Sequence, residues 1–314
     1  MGNVLVHVEI TPEILSGVSD AARLLGQYEG QHCGLNPRIK RDNFIANLQG
    51  NLALEGSTLS VSQIGAIGRG ETVGALAHER ARATAFLSAY DRSEQFSVAN
   101  KKDLLTAFLL MNEGRSMNSP KRDVTAASWN ARMKESLELI NVLLRYIAED
   151  KVAHPIVKAS VFHFQMHHIR PFAEANDAVA RLWHRLLLGR YHRVFVHAPF
   201  EQILKQNQQA YVTALGDGNT HEHQQRFVTF CLKLIGQSLK DVLESLEPRH
   251  QRMDDRLTFA KMHFGSGRLT RKAYMELFQT IGPATASRDL KAGLDSGMLK
   301  KKGEKARTEY YFSQ

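Results

Sequence analysis

Apolar residues recur at intervals of three and four through most of the first 250 positions, the spacing that lines one face of a helix. The pattern predicts helices in TPEILSGVSDAARLLGQY (11–28), KKDLLTAFLLM (101–111), WNARMKESLELINVLLRYIAED (129–150) and PIVKASVFHFQMHHI (155–169). Two more follow in DAVARLWHRLLLGRY (177–191) and HQQRFVTFCLKLIGQSLKDVLESL (223–246). Helix starts are marked by Thr11 before Pro12, which puts proline at the first helical position, and by Asp177 before an apolar run. VLVHVEI (4–10) alternates and predicts an early strand.

The pattern changes after Leu246. EPRHQRMDD is polar and interrupted by Pro248, and the linker is expected over 246–256. Beyond it come a short helix in LTRKAYMELFQTI, a turn and second helix in GPATASRDLKAGLDSGML, then strand, Gly-centred turn and strand in KKKGEKARTEYYF. That order predicts a small α+β winged helix-turn-helix over 257–314. Its second helix is expected to start near Thr285 and expose Ser287, Arg288 and Lys291, with Leu290 and Leu294 inward. Its hairpin would carry Lys300, Lys301, Lys302, Lys305 and Arg307 to nucleic-acid phosphates. The fold class expected is therefore mainly α. It comprises an N-terminal helical region (1–100), a helical core (101–245), the linker and the terminal module.

Charge sharpens this division. The chain carries +9, and from Gln251 onward 13 Lys and Arg face 7 Asp and Glu, so +6 of the excess sits in about a fifth of the length. A basic terminal module points to a polyanion, and duplex DNA is the expected partner. Apolar content of 43% and charged content of 23% are ordinary for a globular chain. No apolar run approaches the roughly 18 residues of a membrane span, so no membrane partner is expected. The start MGNVLVHVEI lacks the pattern of a signal peptide, and Val6 breaks the myristoylation pattern that Met-Gly opens. Cys33 and Cys231 make no disulfide framework, which sets a reducing cytoplasm as the expected location.

The stretch HHIRPFAEANDAVAR (167–181) has the outline of a phosphate-handling loop before a helix, because the first amides of a helix favour an anion. Glu174 is a candidate ligand for magnesium, Asn176 a donor to phosphate, and Arg181 a cation one turn into the helix. Asp177 opposes that use. As a cap near a helix start at Ala178 it would satisfy the free amides itself and repel a phosphate. His163 and His167 stand four apart, a spacing that can hold a metal, and are read as core or surface histidines for want of a third ligand.

FHFQMHHIRPFAEANDAVAR resembles the Fic (Fido-fold) proteins, whose pattern HxFx(D/E)GNGRxxR often follows a histidine seven residues upstream. His163, Ile169, Pro171, Phe172, Glu174, Asn176 and Arg181 match that frame. NLALEGSTLS resembles the family's inhibitory helix, with Glu55 and Gly56 in place and Asn51 where Ser or Thr is expected. QNQQAYVTALGDGN, with Tyr211, resembles the segment after the core. The resemblance implies a helical Fido fold, ATP with magnesium as cofactors, and AMP transfer to a protein hydroxyl.

The departures fall on the chemistry. Arg170 replaces the motif histidine, and a guanidinium cannot act as a general base. Ala175 and Asp177 replace both glycines, and Ala178 replaces the first motif arginine. His168 should turn away from the site, and His167 should lie below the loop. The interval 112–133, where the family carries a target-docking hairpin, is short and polar. The family's inhibitory pair maps to Glu55 and Arg181, and Glu55 is expected to hold Arg170 as well. The expectation is a Fic-fold protein without AMP transfer. It would act as a DNA- or protein-binding regulator, with the core as scaffold or homodimer platform. The alternatives are an active or altered nucleotidyltransferase and a non-catalytic ATP sensor.

Overall fold

Helices account for nearly all regular structure in the computed structural model, which describes residues 6–31, 35–112, 126–172, 174–246, 253–265, 267–278, 281–303 and 308–313. In chain order they are α1 (Pro12–Gly30), α2 (Pro37–Leu54), α3 (Val61–Gly68), α4 (Ala77–Arg92) and α5 (Lys101–Asn112). α6 (Ala126–Glu149), α7 (Pro155–Ile169), α8 (Asn176–Tyr191), α9 (Phe200–Gln206), α10 (Gln208–Leu215) and α11 (His221–Leu246) follow. The chain ends with α12 (Met253–Phe264), α13 (Arg271–Leu277), α14 (Pro283–Asp295), β1 (Leu299–Lys302) and β2 (Glu309–Phe312). No described helix is long and apolar enough to cross a membrane.

Two compact units divide the chain. One comprises Met1–Arg23 with Asp42–Leu239, the other Leu24–Arg41 with Lys240–Gln314. In the first, α7 and α8 form a hairpin that is buried almost end to end. Residues 156–166 of α7, Lys158 excepted, and Ala178–Leu188 of α8 are buried. A helix apolar on every side belongs at the centre of a core, and α7 is also held at its start by Pro155 at the first position and His154 accepting from the Ile156 amide. Trp183 packs against Phe96 and Phe162, and its indole N–H donates to the Val98 carbonyl at 2.9 Å. The hairpin's turn, residues 170–175, is the loop singled out by the sequence.

The strand expected at 4–10 does not form over Val6–Ile10, which is irregular. A strand needs a neighbour to take its backbone hydrogen bonds. None stands beside this one among the described residues, and the His7 carbonyl accepts from Gln224 Nε2 instead. The interval 112–133 lies mostly outside the described residues, and from Ala126 its backbone is the start of α6.

In the second unit α12, α13 and α14 enclose Leu257, Ala260, Tyr274, Phe278 and Leu290, and the β1–β2 hairpin closes the cluster with Leu299 and Phe312. β1 and β2 pair antiparallel, with Leu299 opposite Phe312, and Leu269 bridges Tyr310 from the other side. α12 takes in Met253–Arg256, which the polar pattern assigns to the linker. Asp254 and Asp255 suit the positive end of its dipole, and Arg256 turns inward to a bidentate pair with Asp289 at 2.6 and 2.8 Å. Tyr274 donates to the same carboxylate at 3.1 Å, so one buried network ties the three helices together. α14 opens at Pro283, two residues before the expected Thr285, because Pro283 fits a first helical position and Gly282 precedes it in extended conformation.

Candidate functional site

The loop between α7 and α8 is bracketed by two residues in the left-handed region, Arg170 at φ 42° and Ala175 at φ 58°. Non-glycine residues rarely adopt it, and a Cβ there costs about 1–2 kcal/mol. The loop thus keeps the shape of a glycine turn at Ala175 with alanine in it. Asn176 is spent on holding that shape. Its Oδ1 accepts from the Phe172 amide at 3.0 Å and its Nδ2 donates to the Phe172 carbonyl at 2.8 Å.

Asp177 does not cap α8, contrary to expectation. The helix starts at Asn176, with Ala175 at the cap position and no side-chain cap bond. Asp177 is therefore already inside the first turn, and its carboxylate reaches sideways. Oδ1 lies 2.6 Å from His167 Nδ1, and Oδ2 accepts from Arg170 at 3.5 Å. Burial raises the Asp177 pKa, but the His167 hydrogen bond and the charges of His167, Arg181 and Arg170 leave it below the usual value. Arg170 itself is half exposed and lies at the loop's surface.

Arg181 is nearly inaccessible and sits at the centre of a polar chain. Its Nε donates to Asn51 Oδ1 at 2.7 Å and its Nη2 to Glu55 Oε1 at 2.6 Å. Asn51 Nδ2 donates to the Tyr90 hydroxyl at 2.7 Å, and Tyr90 donates to Glu201 Oε1 at 3.2 Å. Burial pushes the pKa of Glu201 and of Tyr90 upward, and Tyr90 is the donor between them. Burial works against the Arg181 charge, yet Tyr211, Glu55 and Asp177 outweigh it and raise its pKa.

Glu55 holds two guanidinium groups, but the second is not Arg170. It is Arg82 of α4, which donates to Glu55 Oε2 at 3.3 Å and to the Glu55 carbonyl at 3.1 Å. Arg170 lies at the far side of Asp177 and is taken there. Glu55 stands in the turn after α2, and Gly56 supplies the next bend at φ +88°, where a side chain would be strained. Sequence reasoning missed Arg82, Tyr90 and Glu201. Tyr90 and Glu201 contribute to buried faces of helices that also carry apolar residues, and nothing in the spacing announces a polar chain between them.

The histidines fall on separate sides. His167 meets Asp177. His168 lies against Phe164 with Nε2 3.3 Å from the Leu215 carbonyl. Burial holds its pKa down at about 4. His163 is fully buried with Nε2 3.0 Å from the Tyr211 hydroxyl, and burial drives its pKa well below the ordinary range. Glu174 is partly exposed on the loop. Among the described residues no group of three or more His, Cys, Asp or Glu side chains could hold a metal ion. These side chains do not fit ATP with magnesium: Arg181, Arg170 and His167 already face carboxylates, and Asn176 is committed to the loop backbone.

In the second unit Ser287, Arg288, Lys291, Lys300, Lys301 and Lys302 are all exposed. Leu290 is buried and Leu294 packs partly against the core. A wide groove between α13, α14 and the hairpin is lined by Arg271, Lys272, Ser287, Lys291, Lys301 and Tyr310 among others. Lys305 and Arg307 lie outside the described residues.

Comparison with known proteins places this geometry. Residues 93–188 match the model of the Fic/DOC family. A Fic family protein from Desulfovibrio desulfuricans G20 has a similar structure, with 21% identity, a TM-score of 0.67, and coverage of 100% of this chain and 98% of that one. Fic-1 from C. elegans is similar over 74% of this chain and 73% of its own, with 17% identity and a TM-score of 0.52. A Fic domain containing signaling protein from Bacteroides thetaiotaomicron VPI-5482 is similar over 74% and 97%, with 18% identity and a TM-score of 0.51. No curated protein matches. Residues 93–188 are a Fic/DOC-family domain, set in a chain that has the fold of Fic family proteins.

Proposed function

We propose that the Fic domain of this protein is a non-catalytic frame and that the chain acts through its C-terminal module, a winged helix-turn-helix that binds duplex DNA. One observation carries the first half. Side chains that a nucleotide's phosphates would engage around the loop are already engaged by the protein's own carboxylates: Arg181 by Glu55, and Arg170 and His167 by Asp177. A phosphate would have to displace them, and it would meet Asp177 at the helix start, where a negative charge repels it. The motif position for a proton acceptor holds Arg170, which stays charged at every accessible pH.

The second half rests on exposed charge. Lys291, Lys300, Lys301 and Lys302 stand on α14 and β1 without an ion-pair partner within 4 Å among the described residues. An unpaired exposed lysine is free to release counterions from a phosphate backbone, which is the main source of protein–DNA affinity. Ser287, Arg288 and Lys291 lie along one face of α14 and are the side chains assigned to the groove. Lys300, Lys301 and Lys302 of the hairpin are assigned to the backbone, as are Lys305 and Arg307, which lie outside the described residues.

Two measurements test the reading. Alpha-labelled ATP with magnesium or manganese is offered to the wild type, Glu55→Gly and Arg170→His, with an active Fic enzyme alongside. No label should transfer from the first two, and transfer by Glu55→Gly with Arg170 intact would overturn the non-catalytic reading. Binding to specific-length random duplexes is then followed against salt. Affinity should fall steeply with salt and drop with Lys300→Ala and Lys301→Ala together, and absence of duplex binding would sink the DNA assignment.

A further inference from the structure

One buried cation is left without a carboxylate. Arg185 lies on α8 one turn beyond Arg181 and is 5% exposed. Its Nη2 donates to the Val196 carbonyl at 2.6 Å. Its guanidinium rests over the rings of Tyr90 at 5.0 Å and Phe44 at 5.9 Å. Its Nε is buried without a hydrogen-bond partner. Among the described residues no carboxylate stands within ion-pair distance of it. Glu201 is in its field, beyond ion-pair distance, and its Oε1 accepts from Tyr90. Ring faces offset only part of the cost of taking such a charge out of water.

Arg185 lines a cavity of about 220 Å³ between the C-terminal end of α8 and the segments 93–94 and 192–196. Arg190 and Arg193 line the same cavity, with Glu94 as the one carboxylate among its walls. Arg190 is fixed in place by its bonds to the Glu94 and Phe96 carbonyls at 3.1 and 2.9 Å. Arg193 is exposed and only loosely paired with Glu94, at 3.7 Å. A helix C-terminus carries roughly half a negative charge. Three guanidinium groups outweigh that half charge and Glu94 together, so the cavity is cationic. Leu186, Tyr191 and Val196 give it an apolar side.

We propose that this cavity binds a small organic phosphate, its phosphate group held by Arg185, Arg190 and Arg193 and its organic part against Leu186 and Tyr191. Guanidinium forks match phosphate oxygens in pairs. The volume is below that of a drug-sized pocket, so the ligand is small. The site is separate from the α7–α8 loop and does not rest on the reading given to that loop.

Isothermal titration of the full chain tests it, with inorganic phosphate, glycerol 3-phosphate and glycerol as probes. Glycerol 3-phosphate should bind saturably and more tightly than inorganic phosphate, and glycerol should not bind. Arg193→Gln should weaken binding about tenfold, as loss of one charge-assisted contact, and Arg185→Lys should weaken it at least as much. Lys300→Ala with Lys301→Ala should leave it unchanged, which separates the cavity from the basic C-terminal surface. If Arg185→Lys fails to fold, Arg193→Gln decides. Absence of saturable phosphate binding, or binding equal to wild type in Arg193→Gln, overturns the proposal.

Discussion

The loop at 170–181 and the face formed by α14 and β1 are both rich in cations, and they use them in opposite ways. Around the loop, Arg181 is buried and bound to Glu55 and Asn51, while Arg170 and His167 share Asp177. On α14 and β1 the lysines are exposed and, among the described residues, free of ion pairs. A buried charge must be paired or it destabilises the fold. An exposed one costs little and remains available to a partner. Basic side chains therefore serve architecture in one region and stay available to solvent in the other.

The largest expected effect probes the buried side of this contrast through pH. His163 and His184 are fully buried, and burial depresses both pKa values, that of His184 to about 3. The unfolded chain titrates them near 6.5 and so binds more protons than the native state below that value. Stability is full above pH 6.5 and declines as the pH falls toward the native values. At pH 5 His184 alone costs about 2 kcal/mol, and His163 acts in the same direction, so denaturant midpoints should drop markedly between pH 7 and pH 5. Asp177 acts in a separate window. Its depressed pKa contributes stability above its unfolded value near 4, and that contribution is lost only at lower pH. A flat profile from pH 7 to 5 would mean that the histidines are not held neutral.

Glu55→Ala should cost about 3 kcal/mol in chemical denaturation, because it leaves Arg181 buried with Asn51 but no carboxylate. A change below about 0.5 kcal/mol would remove the distinction between the two regions. Lys300→Ala with Lys301→Ala is the converse. Duplex affinity should fall about tenfold and the salt slope by about 2, while stability moves by less than about 0.5 kcal/mol, as for other exposed sites. The smallest effect is expected from Ala175→Gly. Relief of the left-handed alanine, less the added freedom of glycine in the unfolded chain, should stabilise by about 0.5 kcal/mol, read as a small rise in thermal midpoint.

Much of this was legible in the residues themselves. Periodicity placed α1, α5, α7, α8 and α11, since a helix that buries a face must repeat its apolar residues on the helical period, and α7 starts at Pro155 for a purely local reason. The order of α13, α14 and the hairpin followed from turn residues and alternation. The expectation that Arg170 cannot serve as a base rests on one side chain's chemistry and needs no coordinates.

Other features depend on what lies across space. The strand expected at 4–10 had the right alternation, but a strand exists only with a neighbour, and His7 found Gln224 instead. Asp177 looks like a cap in sequence, and becomes an ion-pair partner only because α7 delivers His167 and Arg170 to the same corner. Glu55 was expected to hold Arg181 and Arg170; it meets Arg181, but its second guanidinium came from Arg82 on another helix. Local sequence determines the period, the caps and the ionisation of a single group. Which charge meets which carboxylate, and which, like Arg185, meets none among the described residues, is decided only when helices distant in sequence pack together.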